Sequence, residues 1–566
     1  MKTLKGTKLS SGCAVGRVFY YTEEHPKPQR IQIDAASVTT ETERVSRAMR
    51  DCSSSMREKA KSVGGEAEAI MEAHAEIASD DLLFEGICDL IRDENIGAEF
   101  AVWRVYEDSA RELEESGDPF CAARAKDLRD VCAQLILTLQ GKVQKLSFPR
   151  GAIVAAEDIS PSAAAVLESY AVAGIICSNA VQTSHAAIMA RAAGIPCVTG
   201  IEGISHLFAD SVTVALDADA GEVIIDPDRE TLARFNLKIE ARRSENERAR
   251  EGARERISFK GENFDILLNI ASADDCTDAA MEICDGIGLY RTEYLFIHSP
   301  KIPDFNYQLA EYRRIIEKAG GKPITVRSLD IGADKQAPSI KLEREENPAL
   351  GLRGIRLCFE RSEMFITQLK ALLAASAFGK LRIMFPMVST ASDIQRARRL
   401  LDAAKTELDK SGISYSNEVE IGVMLEVPSA LITADQVARY VDFASVGTND
   451  LCQYTMAADR MNGRVGGYTD PFSPAVLRLV SYAADEFKKQ GKKLSVCGES
   501  ASNPLSALLL CGLGVGSLSM SVPAVPCVKS ALKNRDRKRL SEVARHCLML
   551  EDPDEIKEYA ERNFKL

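Results

Sequence analysis

Ile421-Gly422-Val423-Met424-Leu425-Glu426 is an apolar run of strand length that stops on a carboxylate. The same design recurs on either side of it. Asp265-Ile266-Leu267-Leu268-Asn269-Ile270, Gly286-Ile287-Gly288-Leu289-Tyr290, Ile324-Thr325-Val326-Arg327 and Leu381-Arg382-Ile383-Met384-Phe385 precede it. Phe443-Ala444-Ser445-Val446-Gly447, Leu494-Ser495-Val496-Cys497 and Ser517-Leu518-Ser519-Met520 follow. Helical stretches lie between most of these runs. Eight strands alternating with helices over about 300 residues predict a (β/α)8 barrel, whose chemistry sits at the C-terminal ends of the strands.

Those ends carry charge. Arg291 follows the second strand, Arg327 and Asp330 end the third, and Asp334-Lys335 lie in the loop beyond. Glu426 ends the fifth, Asn449-Asp450 the sixth with Arg460 near in sequence, and Cys497 and Glu499 the seventh. One strand-end arginine is commonly a structural ion pair. Several cations and carboxylates at one face suit a small polyanion, because guanidinium forks bind phosphate bidentately and a carboxylate pair holds Mg²⁺. Cys497 reads either as a small buried hydrophobe or as a proton source.

The N-terminal half has a different texture. Strand-like runs such as Cys13-Ala14-Val15-Gly16-Arg17-Val18-Phe19-Tyr20 open the chain, and residues 34–143 show helical periodicity with few glycines. Strand signals return at Gly151-Ala152-Ile153-Val154-Ala155-Ala156 and run through Cys197-Val198, Val212–Leu216 and Glu222–Asp226. The expectation is an α/β domain (1–33 and 144–228) with an inserted helical bundle (34–143). A charged connector (229–258) without an apolar stripe and a barrel (259–566) complete the chain. Within the α/β domain, Thr183-Ser184-His185-Ala186-Ala187-Ile188-Met189-Ala190-Arg191 sets a histidine at the mouth of an apolar helix. A helix start welcomes an anion, so His185 reads either as a cap or surface residue or as the carrier of a phosphoryl group.

Composition narrows the classes. A net charge of −12 disfavours a nucleic-acid or anionic-membrane surface. The N-terminus lacks the apolar core of a signal peptide, and no uncharged apolar run reaches membrane-spanning length. The fifteen cysteines are scattered without a Cys-x-x-Cys pair, which reads as reduced thiols in a cytoplasmic protein. None of the six histidines forms a His-x-x-x-His pair, so a metal here is expected to be a hard ion on carboxylates.

The chain resembles the enzyme I family of the bacterial sugar phosphotransferase system, the phosphoenolpyruvate–protein phosphotransferases. Gly288-Leu289-Tyr290-Arg291-Thr292-Glu293-Tyr294-Leu295-Phe296 matches a family signature, as do Glu345–Gly351 and Ser376–Lys380 running into Met384-Phe385-Pro386-Met387. Ser445–Leu451, Asp459-Arg460 and Val496-Cys497-Gly498-Glu499 complete the pattern, which spans nearly the whole chain. The resemblance implies phosphoenolpyruvate at the barrel mouth with Mg²⁺ on Glu426 and Asp450. Arg291, Arg327, Arg460 and Asn449 would hold the substrate, with Lys335 and Arg353 close by. It implies in-line attack by His185, protonation of the enolate by Cys497, and transfer onward to a histidine of the carrier protein HPr. It further implies an HPr platform on the helical insert, where Glu72 and His74 lie, and a homodimer through the barrel.

Three departures stand out. The family writes Gly-Gly-Arg or Gly-Gly-Lys before Thr-Ser-His, and this chain has Ala180-Val181-Gln182. It writes Pro-Ser-x-Thr where this chain has Pro161-Ser162-Ala163-Ala164, and a second glycine where this chain has Ala333. A dikinase or synthase of the same superfamily would need a nucleotide-binding domain, and no Gly-x-x-x-x-Gly-Lys-Ser/Thr loop occurs. The departures leave one alternative of another class: a phosphoenolpyruvate-sensing regulator that docks a partner without efficient turnover.

Overall fold

The computed structural model describes residues 1–566 except 23–25, 64, 116–118, 143–147, 165, 168–169, 180–183, 202, 205–211, 298, 300, 333–336, 338, 341, 344, 461–464 and 566. Side chains at 59, 61–63, 65–70, 119–123, 161, 185, 188, 192 and 246 also fall outside the description. The chain divides into two compact units, Met1–Arg243 and Ser244–Leu566.

The first unit is built on β1 (Lys2–Lys5), β2 (Thr7–Ser10), β3 (Cys13–Tyr20), β4 (Ile153–Ala156), β5 (Gly174–Cys177), β6 (Cys197–Thr199), β7 (Thr213–Asp217) and β8 (Glu222–Ile225), in the order β1-β8-β7-β3-β4-β5-β6-β2. The centre, β3 through β6, is parallel. Between β3 and β4 the chain leaves the sheet for five helices: α1 (Val38–Val63), α2 (Gly65–Ile77), α3 (Asp81–Glu94), α4 (Ala98–Glu115) and α5 (Pro119–Leu139).

Why β4 to β6 read as unbroken apolar runs follows from what covers them. Val154, Ala156, Ile175, Cys177 and Cys197 point into one core with Met71, Ala75, Ile87 and Ile91 of the helical insert. Their neighbours Ile153, Ala155, Ile176 and Val198 point into a second core on the other face. Side chains alternate between faces at period two, and here both faces are dry, so no polar residue marks the alternation. Two short helices complete the face that meets the insert: α6 (Pro161–Ala164) and α7 (His185–Ala192). A long charged helix, α8 (Arg229–Gly252), follows β8.

The second unit opens with the antiparallel pair β9 (Ile257–Phe259) and β10 (Glu262–Ile270). β10 then joins β11 (Gly286–Arg291), β12 (Ile324–Arg327), β13 (Leu381–Phe385), β14 (Glu420–Leu425), β15 (Phe443–Val446), β16 (Lys493–Val496) and β17 (Ser517–Met520) in one parallel sheet. β17 pairs with β10 and β10 with β11, so the eight strands close into the expected barrel. Leu289, Met384, Met424, Phe443 and Cys497 plug its interior. Gly422 is glycine because a Cβ there would stand 2.5 Å from the Phe443 ring. The interior is close-packed, which leaves the mouth as the place for chemistry.

Candidate active site

Arg327 is the last residue of β12 and is almost fully buried. Its Nη2 donates to Glu293 Oε1 at 2.5 Å, and its Nη1 pairs with Asp330 Oδ2 at 3.1 Å. Asp330 is shared with a second buried guanidinium: Arg353 Nη2 donates to Asp330 Oδ2 at 3.0 Å and to Asp450 Oδ2 at 3.3 Å. Arg353 Nη1 donates to Tyr454 Oη at 3.1 Å, and that hydroxyl donates to the Ala349 carbonyl at 2.6 Å. Arg460 stands 3.7 Å from Asp450 Oδ1. The result is a chain alternating in sign, Glu293–Arg327–Asp330–Arg353–Asp450–Arg460, running across the strand ends. Each buried charge is met by its opposite, which is the condition for burying it at all.

Glu426, directly after β14, is 1% exposed. Its Oε1 accepts a hydrogen bond from the Met387 N–H at 2.6 Å. Met387 holds a left-handed backbone at φ 54°, a conformation that costs a non-glycine residue roughly 1–3 kcal/mol. Room for the other carboxylate oxygen comes from Gly447, where a Cβ would lie 2.9 Å from Glu426 Oε2. Burial, then the charges of Asp450 and Asp330, push the Glu426 carboxyl well above its usual range, against the pull of Arg327 and Arg353. Among the described residues none donates a hydrogen bond to Asp450 Oδ1. Glu426 and Asp450 thus offer oxygen donors side by side, and a bound cation would favour the ionised form of Glu426; this donor set suits a hard divalent cation. Among the described residues no three His, Cys, Asp or Glu side chains converge as a complete metal cage, so substrate oxygens and water would supply the remaining ligands.

Cys497 follows β16 and is 2% exposed. Its S–H donates to the Val446 carbonyl, with sulfur and oxygen 3.6 Å apart. Burial pushes the thiol up to about 11, so it stays protonated at neutral pH. Its own carbonyl accepts from Asn269 Nδ2 at 2.9 Å, and Asn269 Oδ1 accepts from Ser519 Oγ at 2.6 Å.

The structure therefore brings Arg327, Arg353, Glu426, Asp450, Arg460 and Cys497 to one mouth. Arg291 ends β11 in register with Arg327. Asn449 accepts the Glu499 N–H at 3.1 Å, which fixes its amide. Lys335 lies outside the described residues. Sequence reading missed the roles of Glu293, Tyr454, Asn269 and the Met387 N–H. Three of them lie inside quoted stretches: Asn269 in the first strand run, Met387 in a family signature, and Glu293 two residues beyond Arg291, where it reads as an acid in a helix's first turn.

In the first unit, α7 begins at His185, and the N-cap Ser184 accepts from the Ala187 N–H at 3.3 Å. The His185 side chain and residues 180–183, Gln182 among them, lie outside the description. Ala164 closes α6 and is buried. Glu72 is half-buried, 3.7 Å from Arg57. His74 is 1% exposed, so it offers no surface to a docking partner.

The chain matches the model of the PEP-utilising enzyme, PEP-binding domain over residues 245–537. The N-terminal and mobile-domain models of the same enzymes match residues 5–124 and 148–221. It is 35% identical over 576 residues to the phosphoenolpyruvate-protein phosphotransferase of Geobacillus stearothermophilus, covering 100% of this chain and 99% of that one. The protein of that name from Bacillus subtilis is 34% identical over 572 residues, covering 100% of each chain. The chain belongs to the phosphoenolpyruvate-protein phosphotransferase family. A solved structure described as an NMR solution structure of Enzyme I (nEIt) is 34% identical, covers 42% of this chain and 99% of its own, and has a TM-score of 0.37.

Proposed function

We propose that this chain moves the phosphoryl group of phosphoenolpyruvate to His185 and from there to a histidine of an HPr-type carrier, releasing pyruvate. The supporting observation is the buried charge chain at the mouth of a closed barrel, with Glu426 and the protonated thiol of Cys497 beside it.

Arg291, Arg327, Arg353 and Arg460, with Lys335 and Asn449, bind the phosphate and carboxylate. Glu426 and Asp450 would hold a divalent cation, taken here to be Mg²⁺, which when bound screens the charge that builds on the phosphoryl oxygens. A His185 ring nitrogen attacks phosphorus in line: an N–P bond forms and the P–O bond to the enol oxygen breaks. Rate comes from positioning and from guanidinium groups already held by their carboxylates, so little reorganisation accompanies the charge shift. The enolate takes a proton at carbon from the Cys497 thiol, and solvent later restores that proton. The carrier's histidine then displaces phosphorus from His185. The helical insert would receive the carrier, and the barrel would pair with a second copy. The family membership and the intact barrel mouth both favour turnover over the sensing-only alternative.

Transfer of label from ³²P-phosphoenolpyruvate through this chain to HPr tests the reading. Labelled HPr with stoichiometric pyruvate is the expected result. Binding of phosphoenolpyruvate without labelling of either protein would overturn it.

A further inference from the structure

His74 lies on α2, and both of its ring nitrogens face carboxylates of α5. Nε2 is 3.3 Å from Asp127 Oδ1 and Nδ1 is 3.4 Å from Asp130 Oδ2. The two aspartates sit three residues apart and so share one face of α5. A neutral imidazole has one N–H and would turn a lone pair toward one of these carboxylates. An imidazolium donates from both nitrogens. The cluster is closed to water: His74, Asp127 and Asp130 are all buried.

The second carboxylate reaches further. Asp130 Oδ1 accepts from Ser162 Oγ at 2.9 Å, and Asp130 Oδ2 accepts from the Ser162 N–H at 3.3 Å. Ser162 belongs to α6, and α6 packs on α7, the helix that His185 begins; α2 touches both. Ala163, Ala164, Ala186, Ala187 and Ala190 bury into the same core as Met71 and Ala75 of α2. These alanines offer small contacts, with Met189 of α7 the larger side chain among them. Among the described residues two directional links join α5 of the helical insert to this corner of the sheet domain: Lys126 Nζ donates to Asp158 Oδ2 at 2.6 Å on the exposed side, and the buried one is the line His74–Asp130–Ser162.

We propose that His74, as an imidazolium clamped between Asp127 and Asp130, is a positioning residue for the phosphohistidine helix, acting through Ser162 and α6. The proposal rests on His185 being the phosphoryl carrier. Of the charged groups on the elements packed against His74, Asp127 and Asp130 of α5 face the ring. On its own helix Glu72 pairs with Arg57 of α1, while Arg191 of α7 is exposed and reaches the Leu9 carbonyl. Burial works against the charged imidazole, but the bonds to Asp127 and Asp130 outweigh it and raise its pKa to about 9. The clamp is then complete below the ordinary histidine pKa of about 6.5 and is lost as pH rises through about 9.

The test uses the full chain with His74→Gln and, as a second variant of nearly unchanged volume, Asp130→Asn. Nitrogen-15 NMR of the parent should show His74 doubly protonated at pH 7.5. Single-turnover labelling of His185 by ³²P-phosphoenolpyruvate should fall about tenfold in each variant, in line with a small misplacement of a reacting group. The parent rate should decline above pH 9, and the variants should lack that alkaline limb. Amide exchange should rise in α6 and at the start of α7 while the barrel is unchanged. A neutral His74 at pH 7.5, or variants with the parent's rate and alkaline limb, would overturn the clamp. If the parent itself takes no label, the functional reading falls, and the NMR and exchange results still decide whether the clamp exists.

Discussion

The barrel mouth and the corner around α7 solve the same problem, holding a reactive group still, by opposite means. The mouth is crowded with paired charge: every carboxylate of the chain from Glu293 to Asp450 meets a guanidinium within 3.3 Å, and Met387 adds a strained backbone donor to Glu426. The corner around α7 is lined with alanine and fixed from a distance. A site that waits for a small dianion gains from charges that are already oriented. A site that must release its phosphoryl group to a second protein gains from fewer strong contacts on that group. The contrast teaches where to look: the departures at Gln182 and Ala164 both fall in the first unit, away from the charge chain of the mouth.

Four experiments break or sharpen that contrast. His185→Ala should abolish labelling by phosphoenolpyruvate altogether, since of the six histidines only His185 stands in a Thr-Ser-His helix start; acid-labile label in this variant would end the assignment. Glu426→Ala and Asp450→Ala come next. Each should lose transfer by about a thousandfold or more, because a cation's stabilisation of the charge in the transition state is worth several kcal/mol. Full transfer by either variant in the presence of a chelator would contradict the metal role.

Glu293→Gln keeps the shape and one hydrogen bond to Arg327 but removes the charge. A loss of about 2 kcal/mol in transition-state binding, roughly thirtyfold in kcat/KM, is expected with folding intact. If the variant equals the parent, the pairing at 2.5 Å serves packing alone. Restoring Gln182→Arg with Ala164→Thr is the smallest effect. A cation and a hydroxyl near the phosphoryl group should speed His185 labelling by about tenfold in single turnover. An unchanged rate would show that the alanine-lined corner already supplies what those groups give elsewhere.

Much of the barrel was legible because its strands are buried on both faces and end on charge. Ile324–Arg327 and Leu381–Phe385 appear at the bounds read from the sequence. Arg327 and Glu426 were legible for the same reason: a strand end has one direction to point. Asp450, read as ending the sixth strand, stands four residues beyond it, in the first turn of a helix over Thr448–Met456. Glu293 was not legible, because a glutamate in a helix's first turn reads as a solvated acid, and only the tertiary approach of Arg327, 34 residues away, makes it a buried partner. His74 failed in the same way. Helical periodicity says which face is apolar, but it does not say that Asp127 and Asp130, more than fifty positions on, turn inward to meet a histidine.

One feature of the first unit bears on how the molecule is made. β3 ends at Tyr20 and its parallel neighbour β4 begins at Ile153, with the helical insert spliced between them. On a ribosome the first three strands emerge long before the strands that complete their sheet. Chain closure over such a span is slow for an unstructured loop but fast once the loop has collapsed into helices that bring its ends together. The insert is then an internal folding template, and its inner surface, Met71, Ala75, Ile87 and Ile91, becomes half the mould on which β4 to β6 are laid. A chimaera that exchanges the insert must keep those inner positions, or the nascent sheet will have nothing to condense against.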